Sequence, residues 1–415
     1  MRLSYRRVRP PGLEANALRI LMVSDVCFPR VNGVSTSIAT FRDSLHEQGH
    51  ETVLVAPAYP GATTHEPGLI RIPSRAVPRD PEDRLMSRRA IDALAPSLAA
   101  QAFDVVHVHT PFIAHYAGVA LARRLGVPVV ETYHTFFEEY LHHYVPLLPR
   151  ALTRRIARTA SASQCRAVDA LVVPSRQMLA RLQEYGVTTR AEVLPTGVDL
   201  GRFRGGDGAA FRARHGIPAT RPVLVHISRV AHEKNIDFII EALQRVRRAM
   251  PDVLLVIAGE GPALGHLRAL VRRLELESNV LFVGYLDRAS TLLDCYRAGD
   301  AFVFASRTET QGLVLLEALA LGVPVVSTAV MGTADVLANV RGAVVAPDDL
   351  DGYAAAVVRV LGDPALRASL AAAAPSDAAA WSAGAMATRL AALYAELAAM
   401  PRASGYSSGP ATARA

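Results

Sequence analysis

Of the 45 basic residues in this 415-residue chain only one is lysine, in the segment Ser228-Arg229-Val230-Ala231-His232-Glu233-Lys234-Asn235. A site that keeps lysine in so arginine-rich a composition is one where a guanidinium would serve less well. Lysine supplies a compact ammonium on a flexible stem, a point charge for a phosphate oxygen, whereas arginine is a planar fork. Arg229 precedes Lys234 by five residues, just after the apolar run Val223-Leu224-Val225-His226-Ile227. A strand end followed by a helix start could therefore present fork and point charge to one diphosphate. The competing reading is a lysine that survives by chance on a solvated helix start.

A second group is Glu309-Thr310-Gln311-Gly312-Leu313-Val314-Leu315-Leu316-Glu317, which follows the apolar run Ala301–Phe304. It enters a helix ending near Leu321-Gly322-Val323-Pro324. Gly312 is expected at or before the first helical turn, where unpartnered backbone N–H groups and the helix dipole favour an anion. Glu309 stands in the loop before that turn. Glu317 lies about one and a half turns into the helix, too far to share a small site with Glu309. Both carboxylates suit hydrogen bonds from sugar hydroxyls. The structural alternatives are a buried ion-pair residue at Glu317 and a solvated loop acid at Glu309.

The elements that must position these groups read as an α/β fold with parallel sheets, because short β-branched runs alternate with helical stretches. Strands are expected at Arg19–Val23, Thr52–Ala56, Val105–Val108, Val127–Glu131, Ala170–Val173 and Glu192–Leu194 in the first half. In the second half they are expected at Val223–Ile227, Val253–Ala258, Val280–Val283, Ala301–Phe304, Val325–Ser327 and Ala343–Val345. Each set suffices for a doubly wound sheet, and the chain is too long for one typical core. The segment Pro195-Thr196-Gly197-Val198-Asp199, with Gly201, Gly205, Gly206 and Gly208 after it, reads as the hinge near residue 200. The expected division is a flexible basic N-terminus at 1–17, a Rossmann-like N-terminal domain at 18–200 and a second Rossmann-like domain at 201–375. A helix at 376–400, starting near Asp377 with Ala385, Leu390, Leu393 and Leu397 on its apolar side, docks on a domain. The tail at 401–415 is expected to be disordered. Two such domains face each other across a central cleft at the C-terminal ends of their strands.

A hydrophobic fraction of 51% and a charged fraction of 20% exclude a disordered chain, and the net charge of +7 favours anionic partners. Cys27, Cys165 and Cys295 are scattered and odd in number, which argues against a disulfide framework and fits a reducing cytosol. No apolar h-region follows the basic first residues, and no apolar stretch approaches ~18 residues, so neither a secretory signal nor a membrane span is expected.

The E-x7-E motif, the Ser-Arg-x4-Lys-Asn segment and the turn Gly259-Glu260-Gly261-Pro262 together resemble the retaining nucleotide-sugar glycosyltransferases of family 4, which have the GT-B fold of two Rossmann-like domains. The first half adds Pro29-Arg30-Val31-Asn32-Gly33-Val34-Ser35 and Thr132-Tyr133-His134-Thr135-Phe136-Phe137-Glu138-Glu139-Tyr140. The latter and Glu-Thr-Gln-Gly look most like bacterial diacylglycerol glucosyltransferases, over roughly residues 18–400. The resemblance implies that Arg229 and Lys234 bind the donor diphosphate, Glu317 the ribose hydroxyls and Glu309 the donor sugar. It places Gly33 in a glycine-rich loop near the diphosphate or acceptor, and His134 near the reacting sugar. The nucleotide would lie at Gly312 and Leu313, with its base read by backbone groups around Val283-Gly284-Tyr285-Leu286. The family mechanism is transfer with retention, by leaving-group stabilisation and positioning more than by a strong general base. The expected donor is UDP-glucose and the expected acceptor a lipid such as diacylglycerol, with no nucleic-acid partner. The rival is a GDP-mannose-dependent mannosyltransferase.

Other features fit this reading. Gly259-Glu260-Gly261-Pro262-Ala263-Leu264-Gly265 falls one glycine short of a dinucleotide fingerprint and reads as a strand-to-helix turn with Pro262 at the first helical position. His107, His109, His134, His142 and His143 fit no zinc spacing, and Asp349-Leu350-Asp351 reads as a helix start, so no metal and no cofactor are expected. Arg150, Arg154, Arg155, Arg158 and Arg166 accompany Leu148, Leu152 and Ile156 at helical spacing. Such a helix either lies on an anionic bilayer or packs its apolar side on the N-terminal domain. The expected location is accordingly the cytoplasm, with the inner face of the cell membrane as the peripheral option. A nucleotide-binding regulator would not need both Arg229 and Lys234, and the incomplete fingerprint weighs against an NAD-linked oxidoreductase.

Overall fold

The structure, a computed structural model, describes residues 17–61, 66–77, 80–134, 150–288 and 290–401, apart from the side chains of 80–82, 150, 151, 153 and 154. The expectations for 1–16, for 135–140, for His142, His143 and Leu148, for the side chains of Arg150 and Arg154, and for the tail from 402 lie outside the described residues.

In the first half the strands are β1 (Arg19–Val23), β2 (Glu51–Pro57) and β3 (Leu69–Ile72), an antiparallel pair β4 (Ser74–Val77) and β5 (Asp80–Met86), then β6 (Val105–Val108), β7 (Val129–Thr132), β8 (Ala170–Val173) and β9 (Ala191–Val193). All but the antiparallel pair form one parallel sheet of order β3-β2-β1-β6-β7-β8-β9. The second half gives β10 (Val223–Ile227), β11 (Leu254–Ala258), β12 (Val280–Gly284), β13 (Ala301–Phe304), β14 (Val325–Ser327) and β15 (Ala343–Val345), parallel in the order β12-β11-β10-β13-β14-β15. Most expected strands fall within a residue or two of these. The sequence reading missed β3, β4 and β5. β3 and β4 are four residues each and only partly buried, and Arg71, Arg75 and Arg84 interrupt the apolar signal across the three.

Both sheets are covered on both faces, which explains their nearly continuous apolar strands. Ile20 and Met22 of β1 join one core, and Leu21 and Val23 join the other. In β10, Leu224 faces one layer, and Val223, Val225 and Ile227 face the other.

The C-terminal region departs from the expected single helix beginning at Asp377. One helix spans Pro364–Ala379, and another, capped by the Ser382 side chain, spans Ala383–Ala399. Ala385 is exposed, and the buried face is built from Met386, Leu390, Leu393, Tyr394 and Leu397, which pack into the core beside β1. Trp381, by contrast, packs against a core of the second sheet. The chain therefore crosses back to the first sheet at residues 380–383, alongside the outbound linker. Val198 donates to Trp381 O at 2.8 Å, and Ala383 donates to Val198 O at 3.0 Å. A Cβ at Gly197 would lie 2.4 Å from Ala383 Cα, so the paired crossings need glycine there.

Candidate active site

In a doubly wound sheet the loops diverge where the strand order reverses, and the crevice outside those strand ends receives ligands. The first sheet reverses between β1 and β6, the second between β10 and β13. The loops after β10 and β13 carry the charged residues singled out in the sequence.

After β10 the chain passes Ser228 and Arg229 and makes a tight turn at His232–Lys234. Asn235, with φ 55°, opens the helix Ile236–Ala249, and its side-chain Nδ2 donates to Ala305 O beyond β13 at 3.0 Å. Lys234 is thereby set against the neighbouring loop, and its Nζ donates to Glu309 Oε2 at 2.5 Å. The half-exposed Arg229 pairs with Glu233 at 2.7 Å. Burial disfavours the charged form of Glu233. Its own backbone amide, the Arg229 hydrogen bond and the charges of Arg229 and Lys234 nevertheless hold its carboxyl below the ordinary value.

The Gly259–Pro262 turn supports this loop from below. Val230 donates to Glu260 O at 2.8 Å, and Ala263 donates to Val230 O at 3.0 Å. A Cβ on Gly259 would lie 1.9 Å from Ser228 O, and one on Gly261 2.4 Å from Val230 O, so these glycines allow the turn to run against the cationic segment. The helix that follows starts at Leu264 with Ala263 at its cap, so Pro262 lies in the turn and not at the first helical position.

Gly312 caps the helix Leu313–Ala320 with φ 89°, a conformation glycine adopts without penalty. The Leu315 amide donates to Gly312 O at 3.0 Å, and the amides of Leu313 and Val314 precede the intrahelical ladder, the position an anion site uses. Glu309 lies just before them. Buried Glu317 has separate partners, Arg288 at 2.6 Å and Tyr296 Oη at 2.8 Å. Two carboxylate oxygens offer about four acceptor positions, so these two donors leave room for hydroxyls. Tyr285 is exposed beyond β12, and Leu286 packs half-buried against the core.

In the first sheet, Gly33 opens the helix Gly33–Glu47 after β1, with Asn32 and Ser35 capping each other. A Cβ at Gly33 would meet no protein atom within 4 Å, so packing does not dictate glycine there. His134 follows β7 and is half-buried. Its Nε2 lies 3.3 Å from His109 Nδ1, and burial lowers its pKa to about 4, so it is neutral at pH 7. The His109 ring also lies 4.0 Å, tilted, from that of His107, whose Nδ1 lies 2.5 Å from Tyr394 Oη and whose Nε2 lies 2.7 Å from Thr132 Oγ1. The structure thus joins Lys234, Glu309 and Gly312 at one reversal point and puts Gly33 and His134 on the first sheet's loops. Glu317 keeps its own partners.

Sequence reasoning missed the fixing groups. Asp25, buried in the loop after β1, accepts from Thr110 Oγ1 at 2.8 Å and from the Ala114 amide, tying that loop to the helix Ile113–Leu125. Burial raises its pKa to about 6, against the hydrogen bonds that lower it. Arg288 and Tyr296 were likewise unmarked, because each gains meaning only through its contact with Glu317. The Asp349-Leu350-Asp351 segment is a helix start, with Asp349 accepting from the Gly352 amide at 2.7 Å. All three cysteines are buried free thiols.

Residues 31–202 match the family described as Glycosyltransferase Family 4, and residues 207–377 match Glycosyl transferases group 1. An Alpha-monoglucosyldiacylglycerol synthase of Streptococcus pneumoniae is 33% identical over 319 residues, covering 75% of this chain and 71% of that protein. A GDP-mannose-dependent alpha-mannosyltransferase of Mycobacterium tuberculosis is 29% identical over 347 residues, covering 80% and 84%. The solved Sucrose-phosphate synthase from Thermosynechococcus elongatus superposes with a TM-score of 0.76 at 22% identity, covering 92% of this chain and 99% of that one, and shares its two-sheet fold.

Proposed function

The chain belongs to glycosyltransferase family 4, with the GT-B fold, and from that premise we propose that it moves glucose from UDP-glucose to the hydroxyl of a diacylglycerol-type lipid with retention of configuration. The observation that carries the proposal is the meeting of Lys234, Glu309 and the Gly312 helix start at the reversal point of the second sheet. Cation and free amides suit a diphosphate, and the acid beside them suits a sugar hydroxyl. As the bond from the anomeric carbon to the diphosphate breaks, charge grows on the leaving oxygen, where Arg229, Lys234 and the helix amides stabilise it. The acceptor oxygen bonds to the same face of that carbon and passes its proton to a phosphate oxygen. Glu317 holds the ribose, and neutral His134 orients sugar or acceptor. The donor is a substrate, and the step uses no metal or cofactor.

A lipid acceptor is supported by the name of the pneumococcal relative and by the helix Arg150–Cys165. This helix buries Ala157, Ser161, Ala162 and Cys165 against the first lobe. Leu152 and Ile156 are exposed at 44% and 45%, contrary to the reading that its apolar side packs inward. With exposed Arg155 beside them they form a face suited to an anionic bilayer. Among the described residues no helix is long and apolar enough to cross a membrane, so contact through this face would be peripheral. Flotation with vesicles containing phosphatidylglycerol tests it: Leu152→Ser with Ile156→Ser should reduce the bound fraction, and unchanged flotation would remove this surface from the proposal.

GDP-mannose as donor is the second reading, favoured by the mannosyltransferase similarity at slightly lower identity. UDP should raise the melting temperature more than GDP or ADP, and labelled UDP-glucose with membrane lipid should place label in the organic phase. Preferential stabilisation by GDP would transfer the proposal to mannose.

A further inference from the structure

Gln311 lies between Glu309 and Gly312, yet its carboxamide reaches the linker that joins the two lobes. Its Oε1 accepts from the Thr196 amide at 2.7 Å, and its Nε2 donates to the Thr196 carbonyl at 2.6 Å. Both residues are buried, at 5% and 6% exposure. Thr196 Oγ1 in turn donates to Ser37 Oγ at 2.6 Å, on the helix that begins at Gly33. On one side of Thr196 the linker is bonded to the first sheet through Leu194 and Val173, and on the other it pairs with Ser382 through Val198. At Thr196 itself, the side chain of Gln311 takes the place of a neighbouring strand, satisfying both backbone groups of one peptide residue. Left without that partner, a buried N–H and C=O would each carry a desolvation penalty.

We infer that Gln311 is a positioning residue that clamps the donor loop to the interlobe linker, holding the Gly312 helix start and the Gly33 loop of the opposite lobe in one arrangement. This rests on the glycosyltransferase reading of the cleft. The contact line runs from Gly312 through Gln311 and Thr196 to Ser37, so a shift of the second lobe against the linker breaks both Gln311 hydrogen bonds, and a shift of the first breaks the one to Ser37. Assembly of the reacting groups across the cleft then depends on a residue assigned no contact with the donor.

Gln311→Leu keeps the size and removes both hydrogen bonds. It should lower kcat on the order of 10²-fold through misplacement, while UDP binding measured by titration changes little. Gln311→Glu separates positioning from mere packing. Its carboxylate accepts from the Thr196 amide but offers the Thr196 carbonyl no proton, whereas the protonated acid supplies one donor and one acceptor, as the amide does. The ratio of variant to wild-type kcat should therefore be low at pH 8 and rise as the pH falls. A purely structural role would lower the melting temperature without that recovery of rate. Near-normal kcat in Gln311→Leu, or a pH-independent ratio in Gln311→Glu, overturns the inference; if Gln311→Leu does not fold, the Gln311→Glu profile decides. Wild-type protein that transfers no sugar from any donor would instead overturn the glycosyltransferase reading, and this inference with it.

Discussion

Replacing Lys234 with alanine is expected to lower the rate of sugar transfer by roughly 10²–10³-fold, about 3–4 kcal/mol of transition-state stabilisation. The ammonium lies at the reversal point of the second sheet, with Glu309 at 2.5 Å and the Gly312 helix start beside it. On the proposed mechanism charge on the diphosphate grows as the sugar leaves, so the loss should fall mainly on kcat and less on donor KM. Lys234→Arg keeps the charge but not the shape. With only 20% of the lysine side chain exposed, a planar fork has little room to replace the point contact, and the rate should also fall. Full activity in both variants would remove Lys234 from the diphosphate site. The folded state should change little in Lys234→Arg, where Glu309 keeps a cationic partner; single-turnover assays with labelled donor separate the chemical step from binding.

The second large effect is on stability in acid. His107 and His226 are buried and His134 half-buried, and removal from water lowers their pKa values to about 3, 4 and 4 in the order His107, His134, His226. The same cause, with the neighbouring His107 and His134, holds His109 well below its ordinary value. In the unfolded chain each takes up a proton near pH 6.5. Between about pH 6.5 and 4 the unfolded state therefore binds more protons, and stability falls as pH falls, by about 1.4 kcal/mol per pH unit per histidine. Asp25 acts in the opposite sense: its pKa is raised to about 6, so the folded state gains relative stability as that carboxyl protonates. One such group does not offset several histidines. The melting temperature should drop on the order of 10 °C between pH 7 and pH 4.5. The histidines lie in both lobes, with His226 on β10, His107 on β6 and His109 and His134 just beyond β6 and β7, so neither lobe should be spared. A flat melting temperature over that range would mean that these rings are protonated in the folded state as readily as in the unfolded one.

The two sheets were legible because their strands are short β-branched runs spaced by helical segments. β1, β6, β8, β10, β13, β14 and β15 have the bounds the sequence suggests. Lys234, Glu309 and Gly312 were legible too, since a lone lysine in an arginine-rich chain and an acid-flanked glycine after a strand are local signals. The final helix was placed correctly in the main but began late. A run of alanines carries no periodic signal that distinguishes the end of Pro364–Ala379 from the start of Ala383–Ala399.

Local residue type and spacing thus determined which elements form and which charged groups could meet a diphosphate, since those depend on periodicity and on chemistry carried by single segments. Only the tertiary structure decided that Lys234 pairs with Glu309, that Glu317 is held by Arg288 and Tyr296, and that Gln311 closes on Thr196. Each of these contacts joins residues far apart in the chain. Their partners are selected by strand order and by burial, which leaves a polar atom no water and so requires it to find the nearest complementary group.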